Sequence, residues 1–119
     1  MTSGGRTPGC GEVERLAERA ENRFVCRCTC GALHLAWENA TVQLRPHDLS
    51  VLTVALEVGY VAPFRVVRDG EAAQVWLYNV GLRLGGADLA TFTGLIREAE
   101  AQGWALQRAT PGTRPLPAN

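Results

Sequence analysis

The chain lacks the long apolar segments that mark membrane and secreted proteins. Nowhere in its 119 residues does an apolar run approach the roughly 20 residues that span a bilayer. The opening stretch MTSGGRTPGC contains no apolar core of a signal peptide. We therefore expect a soluble, cytoplasmic protein without a membrane partner, whose cysteines stay reduced unless they hold a metal.

An excess of charge of either sign is also missing. Twelve Lys and Arg residues balance twelve Asp and Glu residues, so the net charge is zero. Nucleic-acid binding depends on basic surfaces that neutralise phosphates, and this composition argues against it. Such binding would require Arg27, Arg65, Arg83 and Trp76 to form one basic, aromatic strip.

Standard catalytic motifs are absent from the sequence as well. It contains no C-x-x-C pair, no glycine-rich phosphate loop of standard spacing and no order of Ser, His and Asp that suggests a triad. The composition, 46% hydrophobic and 20% charged, is that of a single globular domain. These features favour a binding or regulatory protein over an enzyme.

An internal repeat is present instead. Residues 24–56 align without a gap with residues 64–96. Each unit shows the pattern strand, strand, strand, helix, and the units extend over about 24–59 and 64–103. Seven aligned pairs are identical: Phe24/Phe64, Ala32/Ala72, Asn39/Asn79, Leu44/Leu84, Asp48/Asp88, Leu49/Leu89 and Thr53/Thr93.

The repeat predicts an α+β domain over residues 11–108. Two βββα units in tandem would form an antiparallel sheet with the helices packed on one face. A thin apolar stripe in residues 11–23, GEVERLAERAENR, predicts a short N-terminal helix in front of them. Residues 1–10 and the proline-rich residues 109–119 are expected to be flexible.

Three of the four cysteines alternate in the stretch FVCRCTCGALHL, which reads as the first hairpin. In the second unit, an Asp-Gly turn signal places Val66 opposite Ala73. The gapless alignment transfers this register to the first unit. It predicts that Cys26 lies in the core opposite Leu33, that Cys28 lies at the rim and that Cys30 lies at the exposed tip.

The alternating thiols suggest a metal site. Residues two apart on a strand are separated by about 6.6–7 Å, whereas sulfurs on one tetrahedral Zn²⁺ approach to roughly 4 Å. A tight turn that begins at Cys28 would fold Cys30 back, with Gly31 relieving the backbone. The remaining ligand would come from Cys10 or from His34. His34 is predicted opposite Val25, on the face away from Cys26, as an exposed polar residue, so Cys10 is preferred. The expected Zn²⁺ ligands are therefore Cys10, Cys26, Cys28 and Cys30.

The sequence favours a small zinc-stabilised interaction or regulatory module that acts through a protein partner or as a homodimer. Two other interpretations of the hairpin stay open. The thiols could serve a redox sensor or a thiol-dependent oxidoreductase. Alternatively, Cys26 is a small core hydrophobe and the other thiols have no role, because unmodified cysteine is among the most buried residue types.

Overall fold

The structure is a computed structural model that describes residues 12–109. Two four-stranded antiparallel sheets alternate with two helices, which confirms the α+β class. The first sheet and its helix are β1 (Glu12–Ala20), β2 (Arg23–Cys28), β3 (Leu33–Trp37), β4 (Ala40–Leu44) and α1 (Asp48–Val58). The second sheet and its helix are β5 (Tyr60–Val61), β6 (Phe64–Asp69), β7 (Ala72–Leu77), β8 (Val80–Leu84) and α2 (Gly86–Ala109).

The expectation of one continuous sheet is wrong. Each strand pairs only with its chain neighbours, in the orders β1-β2-β3-β4 and β5-β6-β7-β8. The physical reason is the position of α1, which follows β4 and takes the chain away from that sheet before β5 begins. Each sheet is consequently a separate meander with tight turns.

The predicted N-terminal helix is also wrong, because residues 12–20 form strand β1 along the edge of β2. The apolar spacing that suggested a helix has a different cause. The register shifts between Arg15 and Ala17, and this β-bulge allows both Leu16 and Ala17 to be buried. Cross-strand pairing outweighs the helix propensity of this Glu-, Ala- and Arg-rich segment.

Both sheets share one hydrophobic core with the helices. Helix α1 contacts β5 and β6 of the second sheet, and α2 contacts β1 and β2 of the first as well as β7 and β8. Trp37 at the end of β3 packs edge-on against Phe92 of α2, with ring centroids 5.2 Å apart. Helix α2 therefore joins the two sheets, and α1 packs against the second sheet and α2. We call the helix-covered face of each sheet its inner face and the opposite one its outer face.

A buried carboxylate joins the start of α1 to the second sheet. Asp48 is 1% exposed, and its Oδ2 accepts hydrogen bonds from the Tyr78 hydroxyl and, at 2.9 Å, from the backbone N–H of Arg45. The N-cap of α1 is His47, which makes no side-chain capping bond. Asp48 therefore anchors the β7–β8 turn, a role that differs from N-capping.

The start of α2 has a matching tie to the first sheet. Asp88 accepts a hydrogen bond of 3.2 Å from Arg23, which also pairs with Glu38 in the β3–β4 turn. Glu38 and Tyr78 occupy the same position in their turns and have positive φ values of 58° and 62°. The start of α1 is thus bonded directly to the β7–β8 turn. The start of α2 is bonded through Arg23 to the β3–β4 turn.

The second helix extends beyond its predicted end. It passes through Gly103 and continues to Ala109, because a glycine inside a helix costs only about 1 kcal/mol. The segments predicted to be flexible, 1–10 and 109–119, lie outside the described residues apart from Ala109. Within residues 12–109, no helix combines the length and the apolar character that crossing a membrane requires.

Candidate functional site

The β2–β3 hairpin holds the described cysteines in a register that differs from the prediction. Cys26 pairs with His34 and Val25 pairs with Leu35, with Thr29–Ala32 forming the loop. The predicted pairing of Cys26 with Leu33 is wrong by one residue. An odd shift of register moves a side chain to the other face of the sheet.

A comparison of the two hairpins explains the error. Nine residues separate Val25 from its partner Leu35, whereas eight separate Val66 from its partner Val75. The first hairpin thus contains one residue more, and the gapless alignment fails in β2. In the second hairpin, Gly70 and Glu71 form the turn between the paired residues Asp69 and Ala72. Val66 pairs with Val75, so the predicted pairing of Val66 with Ala73 was wrong by two residues. An even shift keeps every side chain on its predicted face.

The cysteines consequently lie on the outer face of the first sheet. Val25 belongs to the core on the inner face, and the alternation of a strand places Cys26 and Cys28 on the opposite side. Both are nevertheless buried, with 6% and 4% exposure. Burial of Cys26 is confirmed, the rim position of Cys28 is wrong, and the exposed position of Cys30 is confirmed.

The hairpin loop is a tight turn that begins at Cys28, as expected. The Gly31 N–H donates to the Cys28 carbonyl at 3.0 Å, and the Cys28 N–H donates to the Ala32 carbonyl at 2.9 Å. Gly31 has a φ of 93°, a conformation that side chains of L-residues rarely adopt. Cys30 lies within this loop, two residues after Cys28.

His34 is the residue whose position was predicted wrongly. It lies directly across from Cys26 and on the same face, which overturns the prediction that it faces away. Its Nε2 atom is buried and has no hydrogen-bond partner in the described part of the chain. The glycine three residues after Cys28 was the signal for a longer loop, and that loop sets the register of His34.

The structure describes three of the four predicted metal ligands. Cys10 lies outside the described residues. Within residues 12–109, no three His, Cys, Asp or Glu side chains are already assembled as a metal site, and no disulfide joins any two of Cys26, Cys28 and Cys30. The structure therefore brings Cys26, Cys28 and His34 onto one face without a ready coordination shell.

The residues considered for nucleic-acid binding are divided between the sheets. Arg65, Trp76 and Arg83 lie on the outer face of the second sheet, where Trp76 pairs with Gly81. Arg27 pairs with Leu33, so it belongs to the inner face of the first sheet. The four residues do not form one strip.

Comparison of the chain with protein-family models, with curated proteins and with solved structures finds no match.

Proposed function

We propose that this protein is a non-enzymatic, metal-binding module that holds Zn²⁺ on the outer face of its first sheet. Cys26, Cys28 and His34 would supply three ligands and Cys10 the fourth, with Cys30 in the exposed turn as the other candidate for that position. The observation that carries the proposal is the buried, unpartnered Nε2 of His34 across from Cys26. Buried polar atoms in proteins are nearly always paired, and a bound ion can take the place of a missing hydrogen-bond partner.

The backbone spacing suits a tetrahedral site. Directly opposed residues of an antiparallel pair have Cα atoms about 4.5–5.5 Å apart, as for Cys26 and His34. Cys26 and Cys28 are about 6.6–7 Å apart along the strand. Rotation about χ1 can bring two sulfurs and an imidazole nitrogen from these positions to within about 4 Å of one another, as Zn²⁺ requires. The site would close when the metal binds, since metal binding and local folding are coupled.

A site made of thiolates and one imidazole is of the closed, structural type. It fills all four positions of the metal and leaves none for a substrate or a water nucleophile. Its role would be to fix the hairpin and the adjoining β1 as a surface for a protein partner or a second copy of the chain. Thiolate ligands of this kind are typical of a reducing, cytoplasmic setting.

The chain offers a matched pair of variants for the test, because it contains only two histidines. Protein purified without chelator should contain about one equivalent of Zn²⁺. His34→Ala should lower the affinity for Zn²⁺ or Co²⁺ at least about tenfold, because it removes a ligand. His47→Ala is the control, since His47 is exposed at the start of α1, and it should leave the affinity unchanged.

Two outcomes would count against the proposal. Metal content below about half an equivalent in the wild type, or equal affinities for the two variants, would show that His34 is not a ligand. A reversible mobility shift of the metal-free protein on oxidation would instead support the thiol redox alternative.

We further propose that the two halves arose by tandem duplication of one unit. The reciprocal ties of Asp48 to Tyr78 and of Asp88 to Arg23 and Glu38 support it, because they relate the halves as a twofold axis would. An experimental structure tests it: the Cα atoms of β2–α1 and β6–α2 should superimpose, with one extra residue in the first hairpin. Halves with different helix directions would reject it.

A further inference from the structure

A cavity of about 480 Å³ lies between the inner face of the first sheet and the two helices. Its floor is apolar and consists of the buried side chains of Leu16, Leu33 and Leu49. Charged and aromatic groups also line it, and the volume is in the range of small-ligand pockets. This combination is typical of a site for a small molecule with both apolar and charged parts.

The cavity contains one cationic and one anionic side chain. Arg27 pairs with Glu14 at 2.8 Å and remains 36% exposed, so its five N–H groups are not all engaged by one carboxylate oxygen. Glu100 accepts a hydrogen bond of 3.1 Å through Oε1 from the Thr53 hydroxyl, which leaves Oε2 to accept others. A ligand with both an anionic and a cationic group would satisfy both side chains.

An aromatic side chain stands at the edge of the same cavity. Trp104 of α2 lies one helical turn after Glu100 and is 48% exposed. Indole faces attract ammonium groups, and residues four apart on a helix are neighbours on its surface. Glu100 and Trp104 therefore lie next to each other on the surface of α2 at this cavity.

The second half has an equivalent cavity, of about 750 Å³, with a different lining. Arg68 lies there in the position that Arg27 has in the first cavity. Arg27 pairs with Leu33 and Arg68 pairs with Ala73, and both partners are inner-face residues of the next strand. Ala90 stands where Ser50 lies in the first cavity, and all the residues that line this second cavity are described and none is aromatic. The ligand-binding features of the first cavity therefore do not follow from the architecture alone.

We propose that the first cavity binds an apolar α-amino acid as its zwitterion. The guanidinium of Arg27 and the hydroxyl of Ser50 receive the carboxylate, since arginine binds carboxylates through two parallel hydrogen bonds. Glu100 and Trp104 receive the ammonium group, and the aliphatic or aromatic side chain lies on the leucine floor. Leucine and phenylalanine are the representative ligands.

This inference goes beyond the metal proposal and does not depend on it. Arg27 points into the cavity, whereas its neighbours Cys26 and Cys28 point to the other face of the same strand. Gly31, which closes the cysteine turn, also lines the cavity. The two sites lie back to back on one hairpin and can be tested separately.

Calorimetric titration of the full chain tests the proposal with three probes: L-leucine, 4-methylpentanoate, which lacks the ammonium group, and isoamylamine, which lacks the carboxylate. Leucine should bind at least about tenfold more tightly than either analogue, which corresponds to one lost ion pair. Arg27→Ala and Glu100→Gln should each weaken leucine binding at least about tenfold. Arg68→Ala is the matched control from the second cavity and should change nothing.

Three results would overturn the proposal. They are the absence of binding for both leucine and phenylalanine at about 10 mM, equal affinities for leucine and its two analogues, and an equal loss in Arg68→Ala and Arg27→Ala. Circular dichroism verifies that the variants fold, and Glu100→Gln, a nearly isosteric change, keeps the test decisive if Arg27→Ala unfolds. Titrations with and without bound Zn²⁺ separate a failure of this proposal from a failure of the metal site.

Discussion

Replacement of Tyr78 by Phe tests how the two halves are held together. The hydroxyl of Tyr78 donates to Oδ2 of Asp48, a carboxylate that is only 1% exposed. The tyrosine ring also packs edge-on against Phe64, with centroids 5.3 Å apart. Phenylalanine keeps this ring contact, so the substitution isolates the hydrogen bond.

The magnitude follows from the charge and burial of the acceptor. A hydrogen bond to a charged group contributes about 1.5–3 kcal/mol. Tyr78 is 39% exposed, so we expect the lower end, about 1.5 kcal/mol, because water can partly replace the hydroxyl. For a domain of this size the melting temperature should fall by about 6–12 °C.

The pH dependence gives an independent readout. Partial burial raises the pKa of Tyr78 above 10.0, and the hydrogen bond to Asp48 raises it further. A group with a raised pKa in the folded state stabilises the fold fully below its unfolded pKa and loses that effect as the pH rises through the folded pKa. The stability difference between the wild type and Tyr78→Phe should therefore be constant up to about pH 10 and shrink at higher pH.

Urea unfolding measured between pH 7 and pH 11 provides the assay, with Tyr60→Phe as the control. Tyr60 is 63% exposed, and its substitution should change stability by less than about 0.5 kcal/mol. A double-mutant cycle with Asp48→Asn should give a coupling energy of about 1–2 kcal/mol. The reasoning fails if both tyrosine variants have the same stability, or if their difference does not vary with pH.

Three further substitutions test the packing and the turn. Gly81→Ala should cost about 1 kcal/mol of stability and shift Trp76 emission to the red, because a Cβ there would lie 2.9 Å from the indole ring. Gly85→Ala is the control for the emission, which it should leave unchanged because a Cβ there meets no atom within 4 Å. Gly31→Ala should lower the free energy of unfolding by more than about 1 kcal/mol and weaken zinc binding, because the φ of Gly31 is 93°. An unchanged free energy of unfolding would show that alanine is not strained there. Phe92→Ala should lower the free energy of unfolding by about 3–5 kcal/mol, because it removes a fully buried ring that packs against Trp37. Thermal unfolding measures the loss, and a loss below about 1 kcal/mol would mean that α2 does not join the two sheets.

The second half was the more predictable part of the fold. Its strands alternate cleanly, so Val66 and Ala73 were predicted on the same face of the sheet, and both are buried there, although the hairpin register was wrong by two residues. Period-2 patterning determines the face and leaves the register to the turn. The same limit explains β1, whose bulge produces an apolar spacing that resembles a helix.

The candidate site was less predictable because it depends on loop length. The spacing of Cys26, Cys28 and Cys30 correctly indicated a turn at Cys28 and an exposed Cys30. The sheet face on which Cys26 and Cys28 lie, and the position of His34, depend on a single additional residue in the hairpin. Neither composition nor periodicity reveals this residue. The position of Gly31 indicates the longer loop, and cross-strand pairing then fixes the register.

The outer faces of the two sheets differ in how deeply their side chains are buried. In the register of the structure, Cys26 and Cys28 correspond to Val67 and Asp69 on the outer face of the second sheet. Val67 is 44% exposed and the side chain of Asp69 is 74% exposed, as expected for a sheet face without a covering layer. The equivalent cysteines are almost fully buried. The frameworks also differ here, because the strand beside the cysteines, β1, has nine residues, whereas β5 of the second sheet has two. The first sheet thus has the buried thiols and His34 on one face and the cavity on the other, so both proposed sites would lie on it.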